Sequence, residues 1–303
     1  AKGGVSINPN DLTSKQKDEL SRSYIQGIHQ EIGADKDIPA PDVYTDEHTM
    51  GVMLDEYESL HGSHEPAVIT GKPVSLGGIP SRSTATGRGA AHIFRHHFNE
   101  PKTVAIQGFG NAGRQFAGEL KDTKHRVIAV SDSSGGISDG DGLDLDAVET
   151  AKDQTGSVTN TEEAPRITNE ELLRLDVDVL APAALGGVIT EANADDVNAD
   201  TVFEIANGPV TGTADTILEQ NNITVLPDIL VNSGGVIVSY CEWSQNRSGE
   251  SWTPSRVDDV LQERIITAYK NIKDRDKPKT WRQKAYVIAL QRILEAAKHR
   301  GKR

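Results

Sequence analysis

Apolar residues along this chain follow two rhythms, a helical one near the start and one of short continuous runs further on. Over residues 13–32, charged positions are interleaved with Leu20, Tyr24, Ile25 and Ile28 at helical spacing, and Thr13 with Gln16 has the form of a capping box. A second amphipathic helix is predicted over residues 46–61, with Met50, Met53, Leu54, Tyr57 and Leu60 on one face. Between the two, Pro39 and Pro41 hold the backbone extended and argue against a central strand, which puts Asp42 on a stiff loop. Residues 71–88, rich in Gly, Pro, Ser and Thr, read as a linker that turns into a helix near Thr86, and the domain boundary is placed there.

Beyond the linker the rhythm changes. Short apolar runs over residues 103–107, 126–131, 177–181, 202–206 and 224–226 are predicted strands. Helical segments separate them, one following Gly113 and one behind a second capping box formed by Thr168 and Glu171. This alternation calls for a parallel sheet covered on both faces. From Arg256 onward the pattern is mostly helical, with Tyr286, Ile288, Leu290, Ile293 and Leu294 supplying apolar surface. No internal repeat interrupts the series.

Composition narrows the partners. The 303 residues are 36% hydrophobic, enough for two domains with a substantial core, and the formal net charge of -13 would repel a nucleic-acid backbone or an anionic membrane. A small-molecule partner fits better. The acidic surplus suits a surface adapted to high salt as well as an ordinary soluble one. Cys241 is the single thiol, so no internal disulfide framework is expected and the compartment is read as reducing. No stretch reaches eighteen apolar residues, and Ala1-Lys2-Gly3-Gly4 lacks the apolar core of a signal peptide, so the expected location is cytoplasmic. The absence of an initiating Met suggests a fragment or processed chain.

The strongest chemical signal follows the strand at 103–107, which leads directly into Gly108-Phe109-Gly110-Asn111-Ala112-Gly113 and then a helix carrying Phe116, Ala117 and Leu120 inward. Gly108 permits the tight turn, Gly110 lets a pyrophosphate approach the backbone, and Gly113 allows close packing of a helix whose N-terminus faces the phosphates. The next strand ends at Asp132, about 20 residues past the last glycine, where an acid should accept from the adenosine ribose hydroxyls and repel a 2'-phosphate. NAD is therefore favoured over NADP, although Ser131 and Ser133 offer donors to a phosphate instead.

Weaker patterns take plainer readings. Asp139, Asp141 and Gly142 resemble part of a calcium loop, but Leu143 and Thr150 stand at its later ligand positions, so a solvated turn is expected. Gly71-Lys72 is no phosphate loop, because Pro66 occupies the first glycine position and Pro73 follows. His92 and His96 lie one helical turn apart, yet Ile93 stands where a zinc-protease helix has glutamate, and no catalytic metal is expected. Lys2 sits among small residues where an ammonium can lose its proton if desolvated, and Asp42 is a proton-transfer candidate. Two ordinary surface charges remain the alternative for this pair.

With these residues in view, the chain resembles glutamate dehydrogenases of the hexameric type, within the Glu/Leu/Phe/Val dehydrogenase superfamily. The matching segments are Ala1-Lys2-Gly3-Gly4-Val5, Pro39-Ala40-Pro41-Asp42-Val43, Thr70-Gly71-Lys72-Pro73, Thr84-Ala85-Thr86-Gly87-Arg88-Gly89 and the glycine turn with Asn111. Further on they are Pro182-Ala183-Ala184, Ala206-Asn207-Gly208-Pro209, and Pro227-Asp228-Ile229-Leu230 through Asn232-Ser233-Gly234-Gly235-Val236 to Ser239-Tyr240. Together they span most of the chain.

The resemblance implies a catalytic lysine at Lys2 and a proton-shuttling aspartate at Asp42. Thr86 and Asn232 match groups that hydrogen-bond the nicotinamide amide, and Asn207 lies by the nicotinamide ribose. Ser239 matches the hydroxyl that reaches a substrate carboxylate, beside the apolar wall Val236, while Ser239 with Glu242-Trp243 favours glutamate over leucine or phenylalanine.

The implied reaction is oxidative deamination of L-glutamate to 2-oxoglutarate and ammonia with NAD or NADP, in a homo-hexamer. The implied fold is α/β, a Rossmann-like doubly wound sheet domain over residues 79–276 joined to a partial α/β substrate domain over 1–78. A C-terminal helix, 277–303, returns to the substrate domain. Family members carry a further stretch before the position of Ala1, with lysines that pair with the substrate carboxylates. Another amino-acid dehydrogenase of the superfamily, or a non-catalytic NAD-binding regulatory subunit, is the alternative.

Overall fold

A computed structural model describes residues 3–162 and 164–302. By contact the chain groups into two compact units, one of residues 1–83 with 235–261 and one of 84–234 with 262–303. This division places 235–261 with the N-terminal residues and the last helix with the sheet, whereas the sequence put them the other way round.

The first unit begins with α1 (Ser14–Ile28) and α2 (Glu47–His61). Thr13 and Gln16 close the expected capping box on α1, and the Asp46 carboxylate accepts from Thr49 N at the head of α2. α1 stops four residues short of the predicted Ile32, because Ile32 leaves the helix to enter the core and forms an isolated bridge with Asp37. Ile25, Ile32, Met50, Met53, Leu54, Tyr57, Val68 and Ile69 make one buried cluster there. Strand pairing in this unit amounts, among the described residues, to that single bridge.

The second unit opens with α3 (Ala85–His97), then β1 (Thr103–Gln107), α4 (Asn111–Leu120), β2 (Arg126–Asp132) and β3 (Gly135–Ser138). It continues through α5 (Leu145–Thr155), β4 (Arg166–Ile167), α6 (Asn169–Leu173), β5 (Val177–Pro182) and β6 (Ala199–Phe203). Next come α7 (Gly212–Gln220), β7 (Thr224–Leu226) and the single turn α8 (Asp228–Val231). α9 (Gly234–Ser248) and the start of α10 (Pro254–Lys273) belong to the first unit, and the rest of α10 with α11 (Trp281–His299) completes the second.

The strands form one sheet in the order β4-β3-β2-β1-β5-β6-β7. Parallel pairing runs from β2 through β1, β5 and β6 to β7, as expected, but β3 and β4 pair antiparallel at one edge, so the sheet is mixed. The connection from β2 to β3 is too short for the crossover that a parallel strand needs. Gly135, Gly136 and the two-residue β4 carry little apolar signal, which is why neither strand was predicted.

β6 lies three residues earlier than its apolar run suggested. Ile205 and Ala206 are buried, yet their amides leave the ladder and both donate to Pro182 O, at 3.0 and 2.9 Å. Both faces of the sheet are covered. Leu172, Leu180, Val202 and Leu218 belong to the cluster on one side, and Phe94, Phe116 and Phe203 interlock as a fully buried aromatic group. The order in which strands are added reverses at β1, between β2 and β5, and in such sheets the crevice at the strand C-termini is where ligands bind. On α11, Tyr286, Leu290, Ile293 and Leu294 stay exposed.

Candidate functional site

The glycine turn sits at that crevice, immediately after β1. Gly108 has φ +103°, and a Cβ there would lie 2.6 Å from Ala184 Cβ. At Gly113 a Cβ would stand 2.0 Å from Gly108 O, so close packing of helix on turn excludes any side chain. Gly110 is the N-cap of α4, a residue with no side chain to satisfy the first-turn amides, and the space where its Cβ would be is open for 4 Å. The amides of Asn111, Ala112 and Gly113 at a helix N-terminus form a ready anion site. The residues present therefore fit a dinucleotide pyrophosphate.

The expected ribose acid is in place but engaged. Asp132 ends β2, and its carboxylate accepts from Lys152 Nζ at 2.7 Å, Val158 N at 2.8 Å, Ser134 N at 2.8 Å and Ser157 Oγ at 3.2 Å. Its side chain is only 6% exposed. Burial opposes its ionisation, but Lys152 and the two amides outweigh burial and hold the carboxyl below the usual range. Ser131 is buried and donates to Asn169 Oδ1, whereas Ser133 is exposed. Gln107, just before the turn, keeps a buried amide oxygen with no hydrogen-bond partner among the described residues.

The asparagines expected at the nicotinamide end do meet. Asn232 Nδ2 donates to Asn207 Oδ1 at 2.9 Å and, at 3.3 Å, to Ala206 O. Asn207 is exposed, following β6, and Asn232 closes the C-terminal end of α8. Thr86 is half-buried in the first turn of α3.

In the first unit, Asp42 is exposed on its proline loop, which folds as a turn: Thr45 Oγ1 receives Asp42 N and donates to Asp42 O. Residues 70–72 brace this loop. Thr70 N donates to Pro39 O at 3.0 Å, and a Cβ on Gly71, whose φ is +81°, would be 2.4 Å from the Pro41 ring. The brace is itself held by α9, through a feature that sequence reading passed over. Lys72 and Glu242 have side chains with 0% exposure and pair at 2.7 Å. Glu242 also accepts Gly71 N at 3.0 Å and Lys72 N at 3.3 Å, and Lys72 Nζ donates to Ile69 O. Burial draws the Lys72 pKa down, against the pull of Glu242.

One turn before Glu242, the nearly buried Ser239 accepts from Arg82 Nε at 2.8 Å. Burial lowers the Arg82 pKa. Because Ser239 Oγ accepts from the guanidinium, its own hydroxyl hydrogen points elsewhere and is available to an anion. Val236 and Tyr240, on the same helix, are exposed, while the Trp243 indole donates to Ala34 O. Lys2 lies outside the described residues. Arg82 and the Lys72–Glu242 pair fall inside or beside the segments that carry the resemblance, and that placement was the available signal.

Among the described residues, no group of three His, Cys, Asp or Glu converges as metal ligands, and no helix is long and apolar enough to cross a membrane. Asp139 caps its own turn, its carboxylate receiving Asp141 N.

Comparison with known proteins gives consistent results. The profile of the Glutamate/Leucine/Phenylalanine/Valine dehydrogenase family matches residues 77–301, and that of the Glu/Leu/Phe/Val dehydrogenase dimerisation domain matches residues 1–59. The NADP-specific glutamate dehydrogenase of Synechocystis sp. is 45% identical over 320 residues, covering 100% of this chain and 75% of that protein. The NAD-specific glutamate dehydrogenase A of Halobacterium salinarum is 43% identical over 309 residues, covering 99% of this chain and 71% of that protein. Among solved structures, hetero-hexameric glutamate dehydrogenase from Thermus thermophilus, in a leucine-bound form, is similar with a TM-score of 0.91 and 32% identity. That likeness covers 99% of this chain and 73% of the other.

Proposed function

This chain belongs to the Glu/Leu/Phe/Val dehydrogenase family, and from that premise we infer that it is a glutamate dehydrogenase. It oxidatively deaminates L-glutamate to 2-oxoglutarate and ammonia with NAD(P). The observation that carries this reading is identity above 40% to glutamate dehydrogenases along 99–100% of this chain and 71–75% of theirs, combined with a complete dinucleotide turn at the head of α4.

In the proposed site, the amides of Asn111, Ala112 and Gly113 hold the pyrophosphate, with Gly108 and Gly110 shaping the approach. Thr86, Asn207 and Asn232 orient the nicotinamide end without adding charge near the transferred hydride. When bound, the dinucleotide accepts the hydride from the substrate Cα. Lys2 then activates the water that adds to the substrate imine, and Asp42 relays protons until ammonia leaves. Ser239, oriented by Arg82, offers its hydroxyl to a substrate carboxylate beside Val236. The first unit is the proposed substrate half and the second the cofactor half.

NAD is the proposed main cofactor, with its margin over NADP narrowed by Lys152, which neutralises the charge of Asp132. Lys152→Met should unmask that charge and raise the NAD preference in kcat/KM roughly tenfold; an unchanged ratio removes Asp132 from cofactor choice. The protein works as an oligomer, and a homo-hexamer in the cytoplasm is the proposed form, to be tested by sedimentation.

The residue roles are tested by Lys2→Ala and Asp42→Asn. Each should lower kcat by about 100-fold or more, the scale of one positioned acid or base, and leave NADH binding within about twofold. Retained turnover would remove that residue from the mechanism.

A further inference from the structure

We propose that Arg282, at the head of α11, is a positioning residue for the nicotinamide end of the cofactor site. The inference rests on the reading that Asn207 and Asn232 hold that end. Arg282 is 18% exposed and forks into three carboxylates: Nη2 to Glu204 Oε1 at 2.7 Å, Nε to Asp215 Oδ2 at 3.0 Å and Nη1 to Asp228 Oδ1 at 3.3 Å. It thereby ties the end of β6, the first turn of α7 and the start of α8 to the last helix.

The contacts continue from those carboxylates to the asparagines. The second oxygen of Glu204 receives Asp228 N at 2.7 Å, and Asp228 Oδ2 in turn receives Gly208 N at 2.8 Å. Gly208, in a left-handed conformation with φ +54°, fixes the direction of the chain just after Asn207. From the other side, Asn232 N donates to Asp228 O at 3.0 Å, and its side chain bonds Asn207. Both asparagines therefore hang on Asp228, and Asp228 is held by Glu204 and Arg282.

Charge explains why the anchor must be a cation with a fork. Three carboxylates converge on one guanidinium, and Glu204 has a side chain with no exposure, so burial already favours its protonated form. Arg282 holds the cluster together; its own pKa is raised, the carboxylates outweighing its burial. Without the guanidinium, Glu204 and Asp228 repel each other at a contact that is buried on the Glu204 side, and the stretch from Glu204 to Gly208 loses its fixed course. A lysine restores the charge but reaches fewer of these acceptors at once.

The test uses the full chain and two ligands, NADH and ADP-ribose, which lacks the nicotinamide ring. By calorimetry, Arg282→Met should weaken NADH binding roughly tenfold or more and ADP-ribose binding less than about twofold. Arg282→Lys, the milder variant, should fall between wild type and Arg282→Met for NADH alone. Equal weakening of both ligands, or of neither, overturns the proposal in favour of a purely structural role. Asn232→Ala separates the two levels. If it weakens NADH selectively while Arg282→Met does not, the positioning role alone fails; if it leaves the NADH to ADP-ribose ratio unchanged, the nicotinamide reading fails and the proposal with it.

Discussion

The buried pair between Lys72 and Glu242 makes the sharpest demand on the first unit. Lys72→Met removes the ammonium from a site with no solvent exposure, leaving the Glu242 carboxylate with the amides of Gly71 and Lys72 but without its countercharge. Glu242→Gln leaves the ammonium with the Ile69 carbonyl and without its hydrogen-bonded carboxylate, only the weaker field of Glu58 remaining. Breaking a buried pair from one side costs about 3–5 kcal/mol, because the surviving charge stays desolvated. The double change, Lys72→Met with Glu242→Gln, removes both charges and keeps an amide oxygen for the backbone donors. Its cost should fall below the sum of the singles by about 2 kcal/mol or more. Urea unfolding followed by the fluorescence of Trp243, the residue after Glu242, in a background where Trp252 and Trp281 are replaced by Phe, reads the unit directly. Single variants that each cost under about 1 kcal/mol, or a double variant that is simply additive, would refute the idea that this pair clamps α9 to the Asp42 brace.

Two further outcomes follow from local geometry. Gly113→Ala forces a Cβ to within 2.0 Å of Gly108 O, so the turn must open, and NADH binding measured by fluorescence should weaken at least tenfold (roughly 1.4 kcal/mol); wild-type affinity would show that the turn is not the cofactor site. His97, whose Nδ1 meets the Tyr269 hydroxyl at 2.9 Å, is pushed by burial from the usual 6.5 down to about 4. The unfolded chain therefore takes up a proton that the folded one refuses. Its contribution is present above pH 6.5 and lost as pH falls towards 4, about 2 kcal/mol once the partial exposure of the ring is allowed for. His97→Gln should flatten the pH dependence of urea stability over that window, and an unaltered slope would contradict the assignment.

What the sequence made legible was the local chemistry. The run Thr103–Gln107 and the glycines after it, ending at Gly113, are read within eleven residues, and both capping boxes, at Thr13 and Thr168, formed as expected. Pairing across long separations was not legible. Lys72 and Glu242 are 170 residues apart, and Arg282 stands 78 residues from Glu204, so nothing near any of them marks the partner. Asp132 shows both sides: its place at the end of β2 follows from the strand, whereas the Lys152 ammonium against it comes from a helix 20 residues on. The antiparallel edge was missed because Gly135, Gly136 and a two-residue strand bury too little to leave a periodic trace. β6 was displaced because Ile205 and Ala206 are buried without being in the ladder, and apolar runs report burial rather than hydrogen bonding.

The most direct test of the central claim is steady-state reduction of NAD and NADP by the protein supplied with glutamate or leucine, followed by the absorbance of the reduced cofactor. With the Ser239 hydroxyl proposed to meet the glutamate side-chain carboxylate, the site should favour glutamate in kcat/KM by about 100-fold or more, since leucine leaves the hydroxyl hydrogen without that acceptor while Arg82 still holds the oxygen. Equal turnover of leucine, or tight NADH binding with no turnover of glutamate, would contradict the account.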